Sequence, residues 1–352
     1  MIPPGETIGI LGGGQLGRML AMAAAQLGYR CHIYAPEPDS IAAEVAAAFT
    51  SAEWDDEAAL ARFAADCAVI TYEFENVPVA PLAALNGTRL LPHPRALETA
   101  QDRLNEKTFV NSLGGRPAPF ATVDSAAGLA AAIARIGTPG ILKTRRDGYD
   151  GKGQWRIMAS ADADTLELPE TPLIYEGFVD FCAEFSVILC RAADGDIRFW
   201  DTPENVHTGG ILARSTVPAS ALVQGQVAEG RALASRVAEA LDYVGVLTAE
   251  FFATTGGPVC NEMAPRVHNS GHWTIEGAVT SQFENHIRAI CGLPLGDTAL
   301  AARAVEMRNI IGDAAEDWAL ILSDPANHLH LYGKAAARPG RKMGHVTRLM
   351  LV

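Results

Sequence analysis

The chain has 352 residues, 49% hydrophobic and 20% charged, a length that predicts two or three domains rather than one core. Its formal charge of −13 argues against a nucleic-acid partner, which would need a basic face. Six scattered cysteines (Cys31, Cys67, Cys182, Cys190, Cys260, Cys291) form no Cys-x-x-Cys pair, which fits neither a zinc site nor a disulfide scaffold and points to a reducing, cytoplasmic setting. Residues 1–6 lack the basic and apolar regions of a secretory signal, and no stretch reaches the length of a membrane helix.

In chain order, residues 7–11 read as a buried strand, followed by Gly12-Gly13-Gly14-Gln15-Leu16-Gly17 and a helix over 18–27 that stops at Gly28. Further strands are expected at 31–35, 68–72 and 89–91, with alanine-rich helices between them. Alternation of this kind implies a parallel sheet covered on both faces. The run Gly12-x-Gly14-x-x-Gly17 matches a dinucleotide fingerprint, with Glu37 lying about 20 residues on, where an acidic residue would meet a ribose. A second reading is that the glycines permit close strand–helix packing and offer amides to another phosphate, with Gln15 at the helix N-terminus as a polar contact.

A helix over 101–113 leads through Pro117 and Pro119 into a region whose strands are expected at 140–143, 154–157, 173–176, 185–191 and 196–200. Short strands outnumber helices there, which implies an antiparallel α+β arrangement. A helix from about 220 to 241 precedes a hairpin over 246–263. The tail carries 318–322 and 328–332, then the basic run Arg338-Pro339-Gly340-Arg341-Lys342. Lys334, Arg341 and Lys342 read either as a solvated basic surface or, if they fold back, as a phosphate clamp.

Chemistry concentrates in two places. Lys143 ends an apolar strand and is followed by Thr144-Arg145-Arg146-Asp147-Gly148-Tyr149-Asp150-Gly151-Lys152-Gly153. Three glycines exceed what a turn needs, and the cations suit a mobile loop that wraps phosphate oxygens with its amides. Tyr149 and Asp150 at its tip would face a second substrate. In the hairpin, a three-residue loop over 255–257 with residue 254 opposite 258 would place Glu250 across from Glu262. Opposed like charges destabilise a strand pair, unless a divalent cation sits between them or one carboxyl is protonated.

Other groups leave alternatives open. Glu176 and Glu184 flank a strand connector that could meet an adenine edge and a ribose, or be an ordinary hairpin. His207 is either a satisfied turn histidine or a phosphate contact. His268 and His272 are four apart, but Gly271 between them opposes a helical zinc pair. Arg266 and its polar neighbours suit an anionic substrate.

These motifs resemble the ATP-grasp family, and within it the branch that carboxylates 5-aminoimidazole ribonucleotide in purine synthesis. The likeness is carried by Gly12-Gly13-Gly14-Gln15-Leu16-Gly17-Arg18, Thr71-Tyr72-Glu73-Phe74-Glu75, Asp102-Arg103-x-x-x-Lys107, Gly148-Tyr149-Asp150-Gly151-Lys152-Gly153-Gln154-Trp155, Asn261-Glu262-Met263-Ala264-Pro265-Arg266-Val267-His268-Asn269-Ser270-Gly271-His272-Trp273 and Arg338-Pro339-Gly340-Arg341-Lys342-x-Gly344-His345. It implies an ATP-dependent C–N ligase, with an N-terminal Rossmann-like domain (1–98), an ATP-grasp domain (99–296, lid at about 115–180) and a small β-rich C-terminal domain (297–352). It implies that ATP phosphorylates bicarbonate to carboxyphosphate, whose carboxyl group the ribonucleotide amine then captures.

Carried over residue by residue, the resemblance implies ATP contacts from Arg103, Lys143, Asp147, Gly148, Tyr149, Asp150, Gly151, Lys152 and Gly153. It adds Glu176, Gly177, Phe178 and Val179 at the adenine, Glu184 on the ribose, and His207, Asn261 and Glu262. Glu250 and Glu262 would hold Mg2+, or Mn2+. Gln15, Glu73, Tyr149, Arg266, His268, Asn269, Ser270, Lys334 and Arg341 would shape the substrate pocket, with Tyr149, Lys152, Arg266, His268 and Asn269 nearest the reaction. A homodimer is implied as well. Competing readings are an NAD-dependent oxidoreductase, a non-catalytic nucleotide sensor, and a sister ATP-grasp enzyme using formate or another purine intermediate.

Overall fold

The computed structural model describes residues 1–148 and 153–351. Its first unit builds on β1 (Thr7–Leu11), α1 (Gln15–Gln26), β2 (Arg30–Ala35), β3 (Ala48–Ser51), α2 (Glu57–Ala65) and β4 (Val69–Tyr72). The strands form a parallel sheet in the order β3-β2-β1-β4. Leu16, Leu20, Ala23 and Ala24 of α1 recur at helical spacing and are buried, which is why this segment lies against the sheet. Gly28 takes a left-handed φ of 81° just past the helix, as its sequence position predicts.

Two helices, α3 (Pro94–Ala100) and α4 (Arg103–Ser112), lead into a four-stranded antiparallel sheet of β5 (Phe120–Val123), β6 (Gly140–Thr144), β7 (Gln154–Ile157) and β8 (Leu173–Gly177), backed by α5 (Ala126–Ile136). The remaining strands share one large antiparallel sheet: β9 (Ala183–Arg191), β10 (Ile197–Phe199), β11 (Glu204–Thr208), β12 (Ile211–Val217), β13 (Gly245–Thr254), β14 (Gly257–Ala264), β15 (Ala304–Ile311), β16 (Asn327–Leu331) and β17 (Lys342–Met350). Pairing of β12 with β15 carries the C-terminal strands onto the central sheet. Among the intervening helices, α6 (Ala221–Gln224), α7 (Val227–Ala240), α8 (Thr274–Gly277), α9 (Gln282–Ile290) and α10 (Trp318–Leu322), α7 packs against β9 and β13, while α9 joins α1 to the sheet. Among the described residues, no helix is long and apolar enough to cross a membrane.

Three local expectations change. The helix expected over 220–241 is broken between α6 and α7 at Gly225 and Gln226, where glycine is a poor helix former and the Gln226 side chain donates to the Thr254 carbonyl. The strand expected at 89–91 is reduced to a bridge between Ile70 and Leu90. The hairpin closes more tightly than expected. Thr254 pairs with Gly257, so only two residues turn the chain, with φ 98° at Gly257. The Thr254 hydroxyl tightens that turn by donating to the Gly257 carbonyl and accepting from the Gly256 amide. A bulge at Asn261 then adds one residue and restores the Glu250–Glu262 pairing.

Candidate active site

A cleft of about 460 Å³ opens between α4, β6, the β13–β14 hairpin and the segment after it. Of the residues named from the sequence, Arg103, Lys143, Asp147, Gly148, Glu184, His207, Glu250, Asn261, Glu262, Arg266 and His268 line it. Tyr149, Asp150, Gly151 and Lys152 lie outside the described residues. Gly153 resumes the chain with φ 66°, and its carbonyl accepts the Thr144 amide at 2.9 Å.

The carboxylate pair sits at one wall. Glu250 is 8% exposed, and burial first, then the charge of Glu262, push its carboxyl up to about 7. A divalent cation would relieve both effects, so the pair fits a metal chemically. Among the described residues no group of three or more His, Cys, Asp or Glu is arranged around a common point. The two carboxylates would thus need phosphate oxygens and water to complete a coordination shell, which is how Mg2+ is usually held.

The opposite wall is cationic and anchored by α4. Asp102 caps that helix by accepting from the Leu104 and Asn105 amides. It also receives a bidentate pair from Arg145 at 3.0 and 2.8 Å. Arg103 donates to the Gly148 carbonyl and lies 3.6 Å from Glu262. Beneath the cleft, Glu176 lies between Lys143 at 2.9 Å and Lys107 at 3.3 Å. Burial opposes its charge, yet Lys107 and Lys143 hold its carboxyl down at about 2. The amides of Gly177 and Phe178 donate to the Pro119 and Pro139 carbonyls. Phe178 is half exposed at the edge, with Val179 following.

Sequence reading gave no role to Glu106 and Lys107. Glu106 accepts the Met263 amide at 2.5 Å, and burial pushes its carboxyl up to about 8. Lys107 donates to the Asn261 carbonyl at 3.1 Å. Together they clasp the bulge that presents Glu262. Their signal was periodicity: Arg103, Glu106, Lys107 and Val110 occupy one helical stripe, where an ordinary helix is apolar.

Around the carboxylates, Glu184 and His207 Nδ1 meet at 2.6 Å. Burial alone would lower the His207 pKa, but the hydrogen bond to Glu184 and the charge of Glu250 raise it. His207 lies on a strand, β11, rather than in a turn. Arg266 pairs with Glu75 at 2.7 Å. His268 Nε2 lies 3.5 Å from Glu250, and its Nδ1 meets the Ser270 hydroxyl at 2.8 Å. Ser270 is buried, and Asn269 exchanges paired amide hydrogen bonds with Asn309.

A second cavity of about 240 Å³ lies at the glycine loop and is lined by Gly12, Gly13, Gly14, Glu37, Glu73, Lys334 and Arg341, among others. Glu73, immediately after β4, accepts the Gly14 amide at 2.8 Å. A Cβ on Gly12 would lie 2.6 Å from its carboxylate oxygen. The loop therefore cradles a protein carboxylate where a dinucleotide would place its pyrophosphate. Gln15 begins α1 beside this loop but lines neither cavity. The basic tail does fold back: Lys334 and Arg341 reach the second cavity, while Lys342 reaches the first. The Lys334 ammonium donates to the Lys342 carbonyl at 2.7 Å, which ties the two cavities together.

An ATP-grasp enzyme is the class this fold and cleft define: a small antiparallel sheet and a large one close on cations from the first and opposed carboxylates from the second. Residues 108–283 match the ATP-grasp domain, 5–101 the ribonucleotide synthetase preATP-grasp domain, and 306–350 the phosphoribosylaminoimidazole carboxylase C-terminal domain. The N5-carboxyaminoimidazole ribonucleotide synthase of Brucella melitensis is 51% identical over 99% of this chain and 97% of its own. That of Pseudomonas aeruginosa is 46% identical, over 97% and 93%. The crystal structure of the Thermus thermophilus synthetase superposes with a TM-score of 0.90 at 48% identity, covering 97% of this chain and 93% of that one. A complex of the Aspergillus clavatus enzyme with ADP and 5-aminoimidazole ribonucleotide gives 0.89 at 32%, covering 98% and 93%. The chain belongs to the N5-carboxyaminoimidazole ribonucleotide synthase family.

Proposed function

We infer that this chain uses ATP and bicarbonate to carboxylate 5-aminoimidazole ribonucleotide, giving N5-carboxyaminoimidazole ribonucleotide, ADP and phosphate. The observation that carries this reading is the pair of linked cavities. One combines Arg103 and Lys143 with opposed carboxylates, and the other combines Glu73 with Lys334 and Arg341.

Phosphoryl transfer rests mainly on positioning and charge neutralisation. Arg103 and Lys143 would hold the ATP phosphates, and the 147–153 loop would cover them. Lys143 would exchange its Glu176 partner for phosphate oxygens, while Lys107 keeps Glu176 neutralised. Glu184 would meet the ribose, the 176–179 connector the adenine, and His207 and Asn261 the nucleotide near the metal. Glu250 and Glu262 would hold Mg2+ or Mn2+, which when bound neutralises developing phosphate charge. A bicarbonate oxygen attacks the γ-phosphorus and ADP leaves. The ribonucleotide amine then attacks the carboxyl carbon of carboxyphosphate, losing a proton as phosphate departs. Arg266 and His268, which line the first cavity, would shape the substrate pocket with Asn269 and Ser270, Tyr149 and Lys152 would join them in the reaction, and Gln15 would serve the ribonucleotide. Excluding water protects an intermediate that hydrolyses readily.

The same reading divides the chain at 1–98, 99–296 and 297–352, and takes the enzyme as a cytoplasmic homodimer. ADP release with ATP, Mg2+ and bicarbonate tests it. Stimulation by 5-aminoimidazole ribonucleotide that vanishes without bicarbonate is the expected result. Release indifferent to the ribonucleotide would move the function to another acceptor. The dinucleotide alternative loses its phosphate site to Glu73.

A further inference from the structure

His268 lies in an irregular segment, where no strand ladder satisfies its backbone. Its amide donates to Gln282 Oε1 at 2.9 Å, and its carbonyl accepts from Gln282 Nε2 at 2.7 Å. A carbonyl only accepts and an N–H only donates, so the amide orientation of Gln282 is fixed by these two bonds. A primary amide side chain offers a coplanar donor and acceptor of this kind without having to take up a proton, as a carboxyl would. Gln282 is fully buried at the first turn of α9, and its second N–H points to His272 Nδ1 at 3.4 Å. Its own backbone amide donates to the Thr274 hydroxyl, which in turn donates to the Gly271 carbonyl. The clamp is thus anchored at both ends.

The clamp has a consequence for the ring. Ser270 donates its amide to His268 Nδ1 at 3.3 Å, so Nδ1 carries the lone pair and Nε2 the hydrogen facing Glu250. With the backbone held by Gln282 and the ring turned by Ser270, the imidazole has one position at the cleft. We propose that Gln282 is a positioning residue of the carboxylation reaction: its side-chain amide holds the His268 backbone so that the imidazole stands at the wall of the first cavity, 3.5 Å from Glu250. This rests on the reading of His268 as part of the substrate pocket. Gly271 belongs to the same device, because a Cβ there would lie 2.6 Å from Gln282 Oε1.

A double-mutant cycle on ribonucleotide-dependent ADP release tests this. Gln282→Met keeps length and volume while removing both hydrogen bonds. It should lower kcat roughly 10- to 100-fold, the scale of an ångström-sized misplacement, with the KM for ATP within about twofold of wild type on the same argument. Gln282→Glu, which keeps the acceptor for the His268 amide, should lose less. In a His268→Ala background, Gln282→Met should add no further loss. Wild-type kcat in Gln282→Met, or a full independent loss in the His268→Ala background, would overturn the proposal. Wild-type kcat in His268→Ala would locate the failure in the reading of His268, and the proposal would fall with it. If Gln282→Met does not fold, Gly271→Ala decides the matter: it should reproduce the fall in kcat at constant ATP KM, and unchanged kcat there would count against the clamp.

Discussion

Glu250 and Glu262 face each other across β13 and β14 because a bulge at Asn261 compensates for a two-residue turn. Without the bulge, the tight turn would set Glu250 against Asn261 and move Glu262 out of reach. The clasp from Glu106 and Lys107 falls on the two residues either side of Glu262, Met263 and Asn261. The Glu262 carboxylate is therefore held by backbone irregularity rather than by regular pairing.

Glu262→Gln should separate function from stability. The amide removes a like-charge neighbour from buried Glu250, so the metal-free protein should be more stable by about 1 kcal/mol or less, seen as a higher unfolding temperature. ATP turnover should fall at least ~100-fold, because charge neutralisation is the main part of phosphoryl transfer. Calorimetry in chelator and an ADP assay in Mg2+ measure the two effects. Normal turnover in the variant would remove Glu262 from the metal site.

The pH dependence of metal-free stability has a computable sign. The folded carboxyls of Glu106 and Glu250 are raised to about 8 and about 7, first of all by burial. Between their ordinary values and these, the folded chain holds more protons than the unfolded one, so their contribution falls as pH rises. His207, raised by Glu184 against its burial, adds loss of the same sign. His268, His272, His286 and His345 are lowered by burial, so they remove stability as pH falls below their ordinary value of about 6.5. Unfolding temperature in chelator should peak near neutrality and decline toward pH 8.5. Glu106→Gln should flatten the decline, and a steady rise to pH 8.5 in wild type would contradict this assignment.

Lys107 and Lys143 share the single carboxylate of Glu176. Glu176→Gln leaves two buried ammonium groups facing each other. Breaking a buried pair this way costs about 3–5 kcal/mol, which a urea unfolding series would record. Lys143→Met should be milder in stability, because Lys107 still neutralises Glu176, and should instead raise the KM for ATP. Equal destabilisation by the two variants would show that Lys107 does not carry Glu176 alone.

The sequence made the parallel sheet around β1 legible because Gly28 and the buried stripe of α1 are local signals. The opposition of Glu250 and Glu262 was also legible, although the expected three-residue turn was replaced by a shorter turn and a bulge. Such compensation between two backbone irregularities leaves no composition cue. The long sheet was only half visible. Strands β11, β12, β15 and β17 alternate polar and apolar residues weakly and are held by partners distant in the chain. The Gly12–Glu73 contact was hidden for the same reason, since the two residues are far apart in the chain and nothing local shows what fills a glycine loop. Motif likeness named Glu73 as a substrate residue, and the geometry adds that it occupies the loop's own amides.

That contact yields a test with an internal control. Gly12 has φ 117°, and a Cβ there would meet Glu73 at 2.6 Å. Gly87 has φ 82° and nothing within 4 Å of its Cβ position. Alanine at Gly87 therefore measures backbone strain alone, about 1 kcal/mol or somewhat more. Alanine at Gly12 adds displacement of Glu73 to the same kind of strain, so it should cost more stability than Gly87→Ala. It should also raise the KM for 5-aminoimidazole ribonucleotide several-fold while leaving the KM for ATP unchanged, because the cleft proposed for ATP does not include Gly12. Gly87→Ala should change neither KM. If Gly12→Ala instead raises the KM for ATP alone, the glycine loop serves the nucleotide, and the second cavity loses its assignment to the ribonucleotide.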